Sequence, residues 1–275
     1  MMKTTLLALI VATTAAQAAP ETQSNDMQMP ADSAPSSARD PHAYSDGYTL
    51  TTGPYAQSGL RQLVLADEQL FWAVLGNRLE YQPDSDTGVY DLQGWLGNSY
   101  DRLVVKAEGD IANSRLEESS TELLWSHAVS TYFDTQVGVQ YQQFDEGENR
   151  PWLAMGIQGL APYWFELDIT GYLGEQGRTA LSAEIEYELL LTQKLILQPR
   201  AELTLYGKDD PQNGLGAGLA NVSVGLRLRY EFSRQFAPYL GVEWSDASGK
   251  TADLMRQRGQ SPQDTQFLTG VRFWF

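Results

Sequence analysis

The sequence predicts an all-β fold, a 12-stranded antiparallel transmembrane β-barrel with a disordered N-terminal periplasmic arm. Three observations predict it. From residue 70 to the C-terminus apolar and polar side chains alternate with period two, as a strand must when one face meets lipid and the other a polar lumen. The chain closes on Val271-Arg272-Phe273-Trp274-Phe275, which alternates up to a terminal aromatic carboxylate, as a closing strand does where the bilayer meets water. The connections are by turns short and long, and the two longest fall on the same side, as in bacterial outer-membrane barrels.

Residues 1–18 read as a secretory signal peptide. Lys3 supplies a positive n-region, Leu6 to Ala12 an apolar h-region and Ala16-Gln17-Ala18 a small-residue cleavage site. That apolar stretch falls short of the ~20 residues a spanning helix needs, and no later window supplies them. Residues 19–69 form the arm. Pro20, Pro30, Pro35, Pro41 and Pro54 lie among Ser, Ala, Asp and Gln with no alternation, a composition that forbids a regular element. Gly47 and Gly53 give turn freedom to the segment leading into the barrel. That segment either folds into the lumen or acts as a spacer.

The barrel occupies residues 70–275. Taking apolar runs as lipid-facing, its first half comprises Phe71-Ala73-Leu75 with Leu79-Tyr81, Tyr90-Leu92-Leu96, Leu103-Val105-Ala107, Leu123-Trp125, Val137-Val139-Tyr141 and Leu153-Met155-Ile157. The second half comprises Phe165-Leu167-Ile169, Leu181 to Leu189 in steps of two, Leu195 to Leu205, Val222 to Tyr230, Leu240-Val242-Trp244 and Phe267 to Phe275. If the first strand runs outward, periplasmic turns fall at Gly97 to Tyr100, around Ser130, at Ala161-Pro162, at Thr192-Gln193 and around Ser233. The longest outer loops are then Lys208 to Gly216 and Ser245 to Ser261.

The residues between the apolar ones point inward and are strongly charged: Arg78, Glu80, Arg102, Lys106, Glu108, Glu118, Glu122, Glu166, Asp168, Glu184, Glu186, Glu188, Arg200, Glu202, Arg227, Arg229, Glu231, Glu243 and Arg272. Such a lumen is either packed with Arg–carboxylate pairs or an acidic path that concentrates cations. The chain carries a formal charge of -16, which makes nucleic acid an unfit partner. It contains no cysteine, so disulfides, thiolate metal sites and cysteine nucleophiles are excluded.

Several runs resemble one family. Gln158-Gly159-Leu160-Ala161-Pro162-Tyr163-Trp164-Phe165, Tyr187 to Arg200, Leu205-Tyr206-Gly207-Lys208-Asp209-Asp210, Gly225 to Glu231, Phe236 to Trp244 and Gly270 to Phe275 are similar to the copper resistance protein B family of outer-membrane proteins. Arg39 to Gly47, ahead of the barrel, resembles it too. The resemblance implies an outer-membrane protein that binds or exports periplasmic copper ions and acts beside a periplasmic multicopper oxidase. It also implies an arm rich in methionine and histidine, of which this sequence keeps a short remnant.

Thioether sulfur suits Cu(I), and imidazole suits either oxidation state. The mature chain offers Met27, Met29, His42, His127, Met155 and Met255. Met27-Gln28-Met29 followed by His42 is their one local cluster, and these three are the candidate metal ligands. His127 reads as an interfacial girdle residue, Met155 as lipid-facing and Met255 as a loop residue. Two other classes stay open. A passive porin conducts without selecting copper, and an outer-membrane hydrolase needs His127 as its base.

Overall fold

The computed structural model describes residues 46–48, 52–54, 69–112, 115–145 and 147–275. Thirteen strand segments form one antiparallel sheet: β1 (Phe71–Gln82), β2 (Thr87–Gly97), β3 (Asp101–Ala112), β4 (Arg115–Ala128), β5 (Phe133–Phe144), β6 (Arg150–Ala161), β7 (Phe165–Gly174), β8 (Thr179–Glu186), β9 (Leu189–Leu190), β10 (Leu195–Tyr206), β11 (Gly218–Tyr230), β12 (Phe236–Ala247) and β13 (Gln263–Trp274). β8 and β9 are two pieces of one strand against β10, so the ring is a closed barrel of 12 strands. Every predicted strand is present. Closure satisfies the edge groups that neither lipid nor an open sheet could satisfy.

The interruption between β8 and β9 has a sequence cause. Pro199 of β10 lies opposite the gap and has no N–H to donate, so Tyr187 N bonds to Pro199 O and Glu188 leaves the ladder. The ring closes where β13 meets β1, with Leu75 opposite Trp274. There Phe275 and Val74 exchange both backbone bonds at 2.9 Å.

One expectation is corrected on β1. The pairing register slips between Gly76 and Arg78, and a one-residue slip turns the rest of a strand over. Trp72 and Val74 therefore face outward, while Leu75 lines the lumen with Asn77 and Asp91. Leu79 and Tyr81 face outward as expected. A Cβ on Gly76 would run into the ring of Phe273, so any larger residue at the slip would have to displace that ring.

Outward residues form a continuous apolar belt that includes Leu103, Val105, Leu123, Val139, Leu153, Met155, Val224, Leu226, Leu240 and Phe267. Met155 is 68% exposed to that surface, as its shared parity with Leu153 predicts. At the end with short turns the belt finishes in Tyr100, Tyr132, Tyr163, Trp164 and Phe232, all exposed, an aromatic girdle. At the other end lie the two longest connections. The last of these begins after Ala247 and carries α1 (Gly249–Gln257), where the sequence reading placed a loop starting at Ser245. Gly216 N donates to Thr251 Oγ1 at 3.0 Å and Lys250 pairs with Asp209 at 2.7 Å, so the two long loops lock together. The Lys250 ammonium holds the Asp209 carboxyl below its ordinary range.

The signal peptide and nearly all of the arm, residues 19–69, lie outside the described residues. Of the arm, Gly47 and Gly53 have φ of 79° and 115°, the turn conformations expected of them. The folded barrel is expected to migrate faster unheated than boiled on a detergent gel and to give a β-type far-ultraviolet circular dichroism spectrum; a helix-dominated spectrum would overturn the fold.

Candidate functional site

The period of two that sends Leu226 and Leu228 to the belt sends Arg227 and Arg229 inward, and every strand repeats this logic. Arg227 of β11 donates from Nε and Nη2 to the two oxygens of Glu80 at 2.6 and 3.1 Å, and from Nη2 to Glu243 at 2.7 Å. Tyr239 donates its hydroxyl to Glu80 at 3.0 Å. Arg227 and Glu80 are almost fully buried, which such paired and hydrogen-bonded geometry makes tolerable.

Two more clusters follow on the neighbouring wall. Arg200 holds Glu184 at 2.6 Å and Glu202 at 2.9 Å, with Glu186 at 3.4 Å. Glu188, freed by the gap between β8 and β9, accepts Arg229 at 2.7 Å and Arg272 at 3.0 Å. Gln198 accepts a further bond from Arg229 at 2.9 Å.

Lys106 reaches from β3 to Asp168 of β7 at 2.5 Å. These strands are not neighbours in the ring, so the bond is a strut across the lumen. It lies between a cavity of about 180 Å³, lined by Glu118, Glu122 and Tyr172, and one of about 360 Å³, lined by Asp91, Glu166 and Arg272. A third, of about 370 Å³, is lined by Arg78, Asp110 and Glu243. Tyr172 donates to Glu122 at 2.7 Å and Gln142 to Glu118 at 2.7 Å.

Both sequence readings of the lumen meet here. Most basic side chains are consumed in ion pairs, yet Glu108, Asp110, Glu118, Glu122 and Glu166 make none among the described residues. The reading of the lumen as an acidic path rests on these five side chains. Among the described residues no group of three or more His, Asp or Glu side chains is placed to hold a metal ion.

The candidate ligands Met27, Met29 and His42 lie outside the described residues. The structure brings none of the other soft donors together. Met155 points away from the lumen, Met255 sits on α1 at the long-loop end, and His127 stands near the end of β4 on the outer face. Its Nδ1 lies 2.9 Å from Asp101 Oδ1 and its ring centroid 5.6 Å from that of Trp125, within the girdle as expected.

Sequence reasoning missed two kinds of lumen residue. Tyr172 and Tyr239 serve the carboxylates with neutral hydroxyls, and Tyr239 shares parity with Glu243, a signal that could have found it. Val104, Leu124 and Ala154 form a buried inward-facing apolar cluster with Trp95 and Tyr172 against it. No parity rule that equates apolar with lipid could find that cluster.

Comparison with known proteins adds the following. A sequence profile described as copper resistance protein B precursor (CopB) matches residues 70–275. The copper resistance protein B homolog of Pseudomonas syringae pv. tomato is 43% identical over 203 residues, 73% of this chain and 69% of that protein. The copper resistance protein B of Escherichia coli is 40% identical over 222 residues, 80% of this chain and 75% of that protein. Among solved structures, the NanC porin is 13% identical with a TM-score of 0.49, covering 74% of this chain and 99% of that one.

Proposed function

The chain belongs to the copper resistance protein B family, and from that premise we propose that it captures periplasmic copper on its arm and carries it to an outer-membrane barrel. A role in copper resistance and an outer-membrane β-barrel fold follow from the family and the closed, apolar-belted sheet. In the proposed arrangement residues 1–18 are removed, residues 19–69 form the periplasmic arm, and the end with short turns faces the periplasm.

The observation that carries the reading is the placement of the soft donors. Met27, Met29 and His42 are the one local cluster of thioether and imidazole groups in the mature sequence, and such groups select copper over harder cations. Three ligands on a polar, proline-punctuated arm must be ordered by the ion they bind, which keeps affinity modest and exchange fast. A delivery site needs that behaviour; a storage site does not. Copper held there can be passed outward, or to a periplasmic multicopper oxidase.

The test is the mature protein with Met27→Leu, Met29→Leu and His42→Ala together. Cu(I) binding is expected to fall sharply and copper tolerance of cells with it, while barrel assembly stays normal. If this variant binds copper and protects cells as well as the parent, the arm reading fails. The lumen carboxylates that make no ion pair then become the better site.

A further inference from the structure

The turn between β6 and β7 is built against the preference of its own backbone. Ala161 pairs with Phe165, so Pro162, Tyr163 and Trp164 alone reverse the chain. Tyr163 and Trp164 both hold φ at 68°, in the left-handed region where a Cβ crowds the backbone and a bulky side chain is a genuine outlier. Among the described residues, the other positive φ values fall on glycines, Asp46, Asp86 and Gln176, and the four other short turns at this end reverse the chain without one. Asparagine or glycine would fit this turn with less strain.

The barrel itself gains little from these two rings. They are 83% and 68% exposed, and neither makes a hydrogen bond or a ring contact among the described residues. They stand at the margin of the apolar belt. In the same hairpin Leu153 and Met155 face lipid, and the next hairpin tip at this end carries Leu190 and Leu191, exposed as well. A phenol and an indole each join an apolar body to a polar tip, the chemistry that the headgroup layer of a bilayer takes up. That layer is continuous with the lipid that covers the belt, so it is the occupant that the position of the turn selects.

We infer that the turn carrying Tyr163 and Trp164 is a membrane anchor that inserts both rings into the phospholipid headgroup layer, and that this insertion offsets the strain of their backbone. The inference is independent of copper. It also sets this turn apart from the rest of the girdle, because Tyr100, Tyr132 and Phe232 are exposed at the same end without a positive φ.

The mature protein is folded into vesicles of phosphatidylethanolamine and phosphatidylglycerol and, separately, into dodecyl maltoside micelles, which hold no phospholipid. Trp164 emission, taken as the difference between the parent and Trp164→Phe, is expected to be blue-shifted in vesicles. Lipids brominated close to the headgroup should quench it more than lipids brominated near the chain end. The double variant Tyr163→Asn, Trp164→Gly carries residues that adopt positive φ readily, so the barrel is expected to fold and keep its heat-modifiable migration. In vesicles it should melt at least about 2–4 °C below the parent, read as loss of the fast-migrating gel band, and in detergent the drop should be smaller or absent because the strain is relieved. Trp164 emission that is unquenched and matches indole in water overturns the inference and leaves a protein partner as the occupant of the turn. An equal change of melting in vesicles and in detergent overturns it too, since the two residues would then serve the barrel and not the bilayer.

Discussion

Replacing Arg227 by alanine is expected to lower the thermal stability of the barrel by about 3–5 kcal/mol, because breaking a buried ion pair on one side leaves its partner charged and unpaired. Arg227 and Glu80 are 2% and 5% exposed, so the lost guanidinium leaves a carboxylate with little access to water. Glu243 loses its partner in the same substitution. Arg256→Ala, which breaks an exposed pair with Asp253 on α1, should cost about 0–1 kcal/mol. Melting in detergent checks both. An Arg227→Ala barrel that melts with the parent but conducts ions differently would make the lumen a pathway first and a packed core second.

Deleting Phe273 to Phe275 is expected to have the largest effect on the amount of protein that reaches the outer membrane. The deletion removes both bonds between Phe275 and Val74, the pairing of Trp274 with Leu75, and the indole bond of Trp274 to Arg234 O at 2.6 Å. It also empties the space beside Gly76 that the Phe273 ring fills. An open sheet exposes polar edge groups to lipid, each costing several kcal/mol, so assembly should fail before stability can be measured. Fractionation and immunoblotting read the result, and normal outer-membrane levels would contradict it.

The twelve strands were legible because one physical demand, apolar out and polar in, shapes most of each strand between residues 70 and 275. The same simplicity limits the reading. On β1 the slip at Gly76 reverses which residues face lipid, and nothing in Phe71 to Leu75 marks it, since Trp72 and Val74 are as apolar as Ala73 and Leu75. The inward Val104, Leu124 and Ala154 were invisible for a related reason: the lumen is narrow enough to pack side chains and so accepts apolar ones. α1 was hidden in a long polar loop, although Ala252, Leu254, Met255, Arg256 and Gln257 are good helix formers. Charges could be assigned to the lumen from parity, but their partners could not. Glu188 finds two arginines because Pro199 breaks the opposite strand, a coupling that sequence spacing alone does not reveal.

That break makes the wall mechanically uneven. A closed β-sheet resists deformation because every stave is tied on both sides, and between Glu186 and Leu189 one stave is tied to β10 only through Tyr187 N and Pro199 O. The ladder between β7 and β8 also ends at Glu166 and Glu186, beyond which the rings of Phe165 and Tyr187 meet at 4.7 Å, tilted by 37°. Thermal breathing concentrates in the most compliant place of a structure. The interruption carries the carboxylate to which two arginines from β11 and β13 are tied, so an opening of this one short segment would slacken both arginines at once and link the wall's local stability to the charge pattern inside.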